Sequence, residues 1–241
     1  MKSGTPFIIL PLYIYPTVGA WDPLYSTLSR HPQLPFIIVI NPASGPGEPP
    51  YPNSDYITAI TKLRSYPNAT LLGYVHTMYG SREETAVNGD IDVYHGWKDF
   101  AASDISIDGI FFDEAPSSYT DELFSYMSTI CHHARRGDTS TVVLNPGVLV
   151  DGAYYSIADL VVGFENFHDA YSLDALSKIE SSYRASTCVL IHHFSGTEEG
   201  QADLVNDLVR DEFGGLFIST EEYHSWSGLW EEFGNAVTSC A

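Results

Sequence analysis

Short apolar runs recur along this chain, and each is followed by a stretch with helical character. The runs are Phe7–Tyr15, Phe36–Asn41, Thr70–Thr77, Gly109–Asp113, Thr141–Asn145, Leu160–Glu165, Thr187–Phe194 and Gly215–Ser219. The amphipathic stretches are Asp22–Arg30, Ser54–Tyr66, Ile91–Ala101, Asp121–Arg136, Gly152–Ile157, Leu173–Arg184, Glu198–Glu212 and Ser225–Val237. Strict alternation of this kind predicts parallel strands with crossover helices, here closed into a (β/α)₈ TIM barrel. The competing open, doubly wound sheet usually carries a glycine-rich phosphate loop after its first strand. Here that strand runs out through Tyr13-Ile14-Tyr15-Pro16 instead. The chain has 241 residues, close to the roughly 250 typical of one barrel. No linker, internal repeat or charge block divides it, so a single domain over 1–241 is expected.

In such a barrel, chemistry sits at the C-terminal ends of the strands. The fourth run contains the strongest signal, Asp108-Gly109-Ile110-Phe111-Phe112-Asp113-Glu114-Ala115-Pro116. A buried strand ends abruptly in two carboxylates, and a proline stops it. Charges at the mouth of an apolar strand are costly unless they are hydrogen-bonded or used. Capping the next helix explains one of these acids more easily than both. Glu165 closes the apolar run Val161-Val162-Gly163-Phe164 and is equally hard to explain structurally. Adjacent strand residues face opposite ways, so Asp113 and Glu114 share a cleft only if the backbone turns there.

The other strand ends supply Tyr13 and Tyr15, Asn41, Tyr74 with His76 and Thr77, Asn145, Asn166, His192 with His193, and Ser219 with Glu221. No lysine or arginine is among them. Uncharged hydrogen-bonders, aromatic rings and a few acids suit sugar hydroxyls and ring faces, whereas a phosphate would want basic groups. Tyr13, Asn41, His76, Asn145, Asn166 and His193 are therefore the candidate substrate-binding residues. Asn41 and Asn145 each precede a proline, so turn chemistry is the alternative for both. His192 and His193 are expected to point to opposite faces, so at most one of them faces the interior. His76, His192 and His193 lack the spacing of a zinc motif, so neither a metal nor another cofactor is expected. The proline- and glycine-rich Asn41–Pro50 reads as a stiff loop on the catalytic face, either a cleft wall or a decorated turn. Trp226 and Trp230, four apart, are expected in the core of the last helix.

Composition narrows the partners. The 31 acidic residues against 11 lysines and arginines give a net charge of −20. Nucleic acid and anionic membranes are disfavoured, and a neutral or cationic substrate fits better. No uncharged apolar run reaches the roughly 18 residues of a membrane span. After Met1-Lys2-Ser3-Gly4 the chain enters its first strand, with no leader visible. If the native protein is secreted, the leader is absent from this sequence. Cys131, Cys188 and Cys240 are too few and too widely spaced for a disulfide framework, and at most one bridge is possible. Asn68-Ala69-Thr70 is a glycosylation sequon, placed where a surface loop is expected.

The segments PLYIYP, INPASGPG, PNSDY, LLGYVHTMYG, DGIFFDEAP, VVLNPG and GFEN together resemble the spherulin-4 family. That family includes fungal glycoside hydrolases that cleave galactosaminogalactan, a biofilm exopolysaccharide. The resemblance implies a (β/α)₈ fold, endo-α-1,4-N-acetylgalactosaminidase activity, and secretion or surface anchoring. It also implies roles for the acids at Asp113, Glu114 and Glu165. A retaining mechanism, a monomer and an amino-sugar polymer as partner complete the expectation. The adopted assignment makes Glu165 the general acid and Asp113 the nucleophile. Glu114 then positions the sugar or exchanges roles with either. Two other readings stand beside it: a non-catalytic carbohydrate-binding or encystment coat protein, and a metal-dependent polysaccharide deacetylase.

Overall fold

The apolar runs are strands, and they close on themselves. A computed structural model describes residues 5–136 and 141–240; Met1–Gly4, read above for a leader, lies outside them. Among the described residues, the strands are β1 (Phe7–Leu12), β2 (Phe36–Ile40), β3 (Ala69–His76), β4 (Gly109–Asp113), β5 (Thr141–Leu144), β6 (Leu160–Phe167), β7 (Thr187–His192) and β8 (Gly215–Ile218). They form a closed parallel barrel in sequential order, β8 pairing with β1. Their isoleucines, valines, leucines and phenylalanines are almost entirely buried, with helices packed outside and side chains filling the interior. β-Branched and aromatic residues favour such two-sided burial.

Helices α1 (Asp22–Arg30), α2 (Ser54–Leu63), α3 (Glu84–Gly96), α4 (Asp121–Ala134), α5 (Leu173–Leu176), α6 (Ser181–Arg184), α7 (Glu198–Arg210) and α8 (Trp230–Ser239) fill the crossovers. Several bounds differ from expectation. The third helix starts seven residues early because its first turns carry few apolar residues. The sixth expected helix splits into α5 and α6. Between them the Arg184 guanidinium takes the Ile179 carbonyl at 3.1 Å, where a continuing helix would have placed a backbone N–H. The last helix starts at Trp230, because the Ser227 hydroxyl accepts from the Thr220 and Leu229 N–H groups and holds a turn there. Trp226 therefore precedes the helix. Its indole N–H donates to the Ala20 carbonyl at 2.7 Å, and its ring packs 5.0 Å from that of Trp230.

Proline in a barrel strand needs a reason, since it cannot donate to a ladder. Phe7 N–H donates to Gly214 on the β8 side and Ile8 N–H to Pro35 on the β2 side. Odd-numbered N–H groups of β1 thus face β8, and Pro11 has none to give. The β1–β8 pairing accordingly ends at Ile8↔Leu216. The Ile218 carbonyl, left beyond that point, accepts from the buried Gln201 side chain at 3.3 Å.

The two ends of the barrel differ in chemistry. At the N-terminal end, Asp108 pairs with Arg64 at 2.8 Å and Asp159 with Arg135 at 2.7 Å. Each carboxylate also accepts a strand N–H, from Leu71 and Val142. Those acids staple strands. A cavity of about 700 Å³ opens at this end, lined in part by Phe7, Ser182 and Phe213, and none of Asp113, Glu114 or Glu165 reaches it. Cys131, Cys188 and Cys240 are all free thiols. The Asn68 carboxamide donates to the carbonyls of Leu28, His31 and Leu34, so a glycan on that nitrogen would leave a single N–H for these three acceptors.

Candidate active site

Three adjacent strands bring the principal acids together. Asp113 ends β4, Asn145 follows β5 directly, and Glu165 lies on β6. Asn145 is fixed by its backbone: its N–H donates to Phe112 at 2.8 Å and its carbonyl accepts from Ala115 at 2.9 Å. Its side-chain nitrogen then donates to both neighbours, to Asp113 Oδ1 at 2.8 Å and to Glu165 Oε2 at 2.5 Å. The nearest oxygens of the two carboxylates therefore lie no further apart than those bonds laid end to end, about 5.3 Å. Asn145 Oδ1 is buried and has no hydrogen-bond partner among the described residues.

Two glycines set this geometry. Gly163 is the extra residue of a bulge: Val162 pairs with Cys188 and Phe164 with Val189. The bulge shifts the alternation of β6 just before Glu165. A Cβ on Gly163 would stand 2.7 Å from Thr187 Cγ2 and 3.2 Å from Ile179 Cδ1, so a larger residue does not fit. Gly147, at φ 69°, turns the chain so that its carbonyl accepts the Glu165 N–H at 2.9 Å. Glycine takes that conformation without strain.

Tyrosine hydroxyls occupy the remaining carboxylate oxygens. Tyr74 donates to Asp113 Oδ2 at 2.7 Å, and Tyr223 donates to Glu165 Oε1. Tyr13 packs between them, its ring 5.6 Å from Tyr74 and 5.5 Å from Tyr223. Burial, reinforced by the nearby acids, lifts all three phenols well above their usual range. They stay protonated and remain donors. Burial also raises the Glu165 carboxyl, and the neighbouring Asp113 adds to this; the bonds from Tyr223 and Asn145 oppose it without cancelling it. Two nearby carboxyls in unlike surroundings is how a site separates a proton-holding acid from an ionised one. Among the described residues no lysine or arginine pairs with Asp113, Glu114 or Glu165, in contrast to Asp108 and Asp159.

Glu114 stands apart from that pair. Its backbone enters the left-handed region at φ 51°, a conformation that costs a non-glycine residue about 1–3 kcal/mol. This is the turn that Asp113 and Glu114 needed in order to share one cleft. The Glu114 carbonyl is clamped by the Thr77 hydroxyl and the Tyr79 N–H, both at 2.7 Å. Its carboxylate lies 3.8 Å from His76 Nδ1 and is half-exposed.

The other candidates are placed less centrally. The Asn41 side-chain oxygen accepts from the Gly45 N–H at 3.1 Å, and the Asn41 carbonyl accepts from Tyr56, so Asn41 organises its own proline-rich loop. Asn166 is exposed and folds its oxygen onto the next N–H. His192 and His193 do not diverge to opposite faces. His193 turns to φ 53°, and one Nδ1 donates to the other at 2.8 Å, with both rings against Phe167. The alternation rule ends where the strand ends. Burial and the adjacent ring lower the His192 pKa. His76 belongs to Glu114, so the three histidines do not converge. Among the described residues no group of three metal-ligating side chains forms.

Residues 7–237 match the family described as Spherulation-specific family 4. The chain belongs to the spherulin-4 family. It is 34% identical to Spherulin-4 of Physarum polycephalum over 177 residues, 73% of this chain and 47% of that protein. The chain thus spans about half the length of the curated relative it matches. The crystal structure of Aspergillus clavatus Sph3 in complex with GalNAc superposes with a TM-score of 0.92 at 34% identity, covering 99% of both chains. A Bacillus subtilis mannanase, 13% identical, covers 98% of this chain and 85% of its own with a TM-score of 0.57, which shows a shared barrel fold.

In this spherulin-4 barrel, the sequence reading missed Tyr223 altogether and gave Tyr74 no role. Tyr74 was legible: it lies two residues before His76 and so shares its strand face. Tyr223 comes from the loop after β8 and reaches β6 across β7, a contact with no periodic signature. Gly163 did carry a signal, since an isolated glycine in a strand marks a bulge.

Proposed function

We propose that this chain is an endo-acting glycoside hydrolase that cleaves α-1,4-linked N-acetylgalactosamine in galactosaminogalactan-type exopolysaccharide with retention of configuration. The observation that carries the reading is the pair Asp113 and Glu165, hung on one amide nitrogen at the C-terminal mouth of the barrel. Retaining enzymes hold their two carboxyls about 5–5.5 Å apart and inverting enzymes about 6.5–9.5 Å. The limit of about 5.3 Å between the nearest oxygens favours the first class. The GalNAc bound by the Aspergillus relative supports an amino-sugar substrate.

The roles follow from the surroundings. Asp113, fixed by Tyr74 and Asn145, attacks the anomeric carbon as the C–O bond to the leaving sugar breaks. Glu165, raised by burial, gives its proton to the departing oxygen. It then takes a proton from the water that attacks the same carbon and releases Asp113 from the glycosyl ester. Glu114 and His76 bind sugar hydroxyls or an amine at the side of the pair. An exopolysaccharide substrate puts the working enzyme outside the cell or at its surface.

Exposed apolar side chains support a polymer track. Among the described residues, the large exposed hydrophobics all lie at the C-terminal end of the barrel, on the loops after β1, β3, β4 and β5 and at the end of β6. The test is incubation with purified polymer, run with and without EDTA. New reducing ends, lost in Glu165→Gln, support the hydrolase. Release of acetate without reducing ends identifies a deacetylase, and binding without either product identifies a coat protein.

A further inference from the structure

Beside Glu114, Met78 and Tyr79 both adopt left-handed backbone, at φ 50° and 56°, ahead of Gly80 at 83°. Bulky residues rarely occupy that region. The turn has a backbone purpose, because the Tyr79 N–H holds the Glu114 carbonyl at 2.7 Å. A glycine at position 79 would donate the same N–H without strain. The tyrosine side chain gains nothing inside the molecule: it is 65% exposed. Among the described residues its hydroxyl has no hydrogen-bond partner and its ring meets no other ring. A large ring is thus held in solvent, at a conformational cost, on the loop that fixes one of the site acids.

We propose that Tyr79 is a sugar-binding platform, on which one pyranose of the polymer rests its C–H face on the Glu114 side of the acid pair. The proposal deepens the hydrolase reading and rests on it for the identity of the ligand. The chemistry of the patch selects a sugar over a protein partner. The apolar area is a single ring with neighbouring Met78, not a groove, and His76 and Glu114, whose carbonyl Tyr79 holds, add hydrogen-bonding groups on the same loop region. A pyranose has that combination of an apolar face and a polar edge. An aromatic face of this kind tunes affinity and chain placement without touching the reacting atoms.

The decisive variants are Tyr79→Gly, which removes the ring and relaxes the turn, and Tyr79→Phe, which keeps the ring. Both are measured for KM and kcat on galactosaminogalactan. Binding of the same polymer is measured by affinity electrophoresis in a Glu165→Gln background, and folding by thermal unfolding. Tyr79→Gly is expected to raise KM and the dissociation constant about two- to tenfold, the range of aromatic contacts. Its kcat should be unchanged, its melting temperature equal or higher, and Tyr79→Phe should match the wild type. Unchanged polymer binding by Tyr79→Gly would overturn the platform, since a purely backbone role predicts that result. Failure of the wild type to cleave, with weaker binding by Tyr79→Gly, would sink the hydrolase and keep the platform. Failure of the wild type to bind the polymer would overturn both.

Discussion

Asp113 and Glu165 accept hydrogen bonds from one and the same nitrogen, that of the Asn145 side chain, at 2.8 and 2.5 Å. A single amide directly after the intervening strand therefore sets the spacing of the pair and opposes the rise of the Glu165 pKa. Asn145 was legible as a strand-end residue, but its part as the bridge was not, because nothing in an Asn-Pro dipeptide distinguishes a turn former from a tether.

Asn145→Ala should lower kcat by about 10²-fold with little change in KM, the loss typical of one aimed donor. The amide bond lowers the Glu165 pKa against the effect of burial. Without it that pKa rises further. If Glu165 acts as the protonated acid, the alkaline limb of the kcat/KM profile moves to higher pH. A limb that stays in place, or moves to lower pH, would remove Glu165 from the general-acid role.

Glu165→Gln should cost activity about 10²–10⁴-fold, as for other acid–base groups. Stability should move the other way. Burial raises the folded-state pKa of Glu165, so the native state holds its proton more tightly than the unfolded chain. The stabilising contribution is complete below the unfolded value of about 4.3 and is lost as pH rises through the folded value. Above the folded value the ionised, desolvated Glu165 is a liability that glutamine lacks. Thermal unfolding at pH 7 and pH 4 should show the variant equal or more stable at pH 7, with its advantage gone at pH 4. A variant clearly less stable at pH 7 would contradict this account.

The first-formed product should have the α anomeric configuration. The short separation of the pair leaves no room for a water between the second carboxylate and the sugar. Proton NMR during the first turnovers reads the anomer before mutarotation, and early accumulation of the β form would show inversion.

Surface charge gives a further expectation. At −20 the protein should capture partly deacetylated, cationic polymer better than fully acetylated chains of equal length. Raising salt from 0.01 to 0.15 M shortens the Debye length from about 30 Å to about 8 Å. The KM for cationic polymer should rise over that range while that for neutral polymer stays flat. Equal, salt-independent values would mean the acids serve solubility alone.

The barrel was readable because eight buried parallel strands each leave a continuous apolar run, and the acids because charges ending such runs are costly. Beyond that, local rules stop applying at strand ends. His193 departs from alternation once it turns to φ 53°. Asn41 spends its side-chain oxygen on the Gly45 N–H of its own loop. Glu165 faces Asn145 only after the Gly163 bulge shifts its strand. Tyr223 is joined to its carboxylate 58 positions away by tertiary closure alone.

That last contact orders events in time. Asp113, Glu114, Asn145 and Glu165 are all synthesised before β7, whereas Tyr223 is synthesised after β8. A nascent chain long enough to carry every acid still lacks the hydroxyl that completes Glu165. The seam that seats it, β8 against β1, is held by two residue pairs, Phe7↔Gly215 and Ile8↔Leu216. The surroundings of Glu165 are thus complete only once β8 closes against β1, and a half-made barrel lacks the Tyr223 hydroxyl.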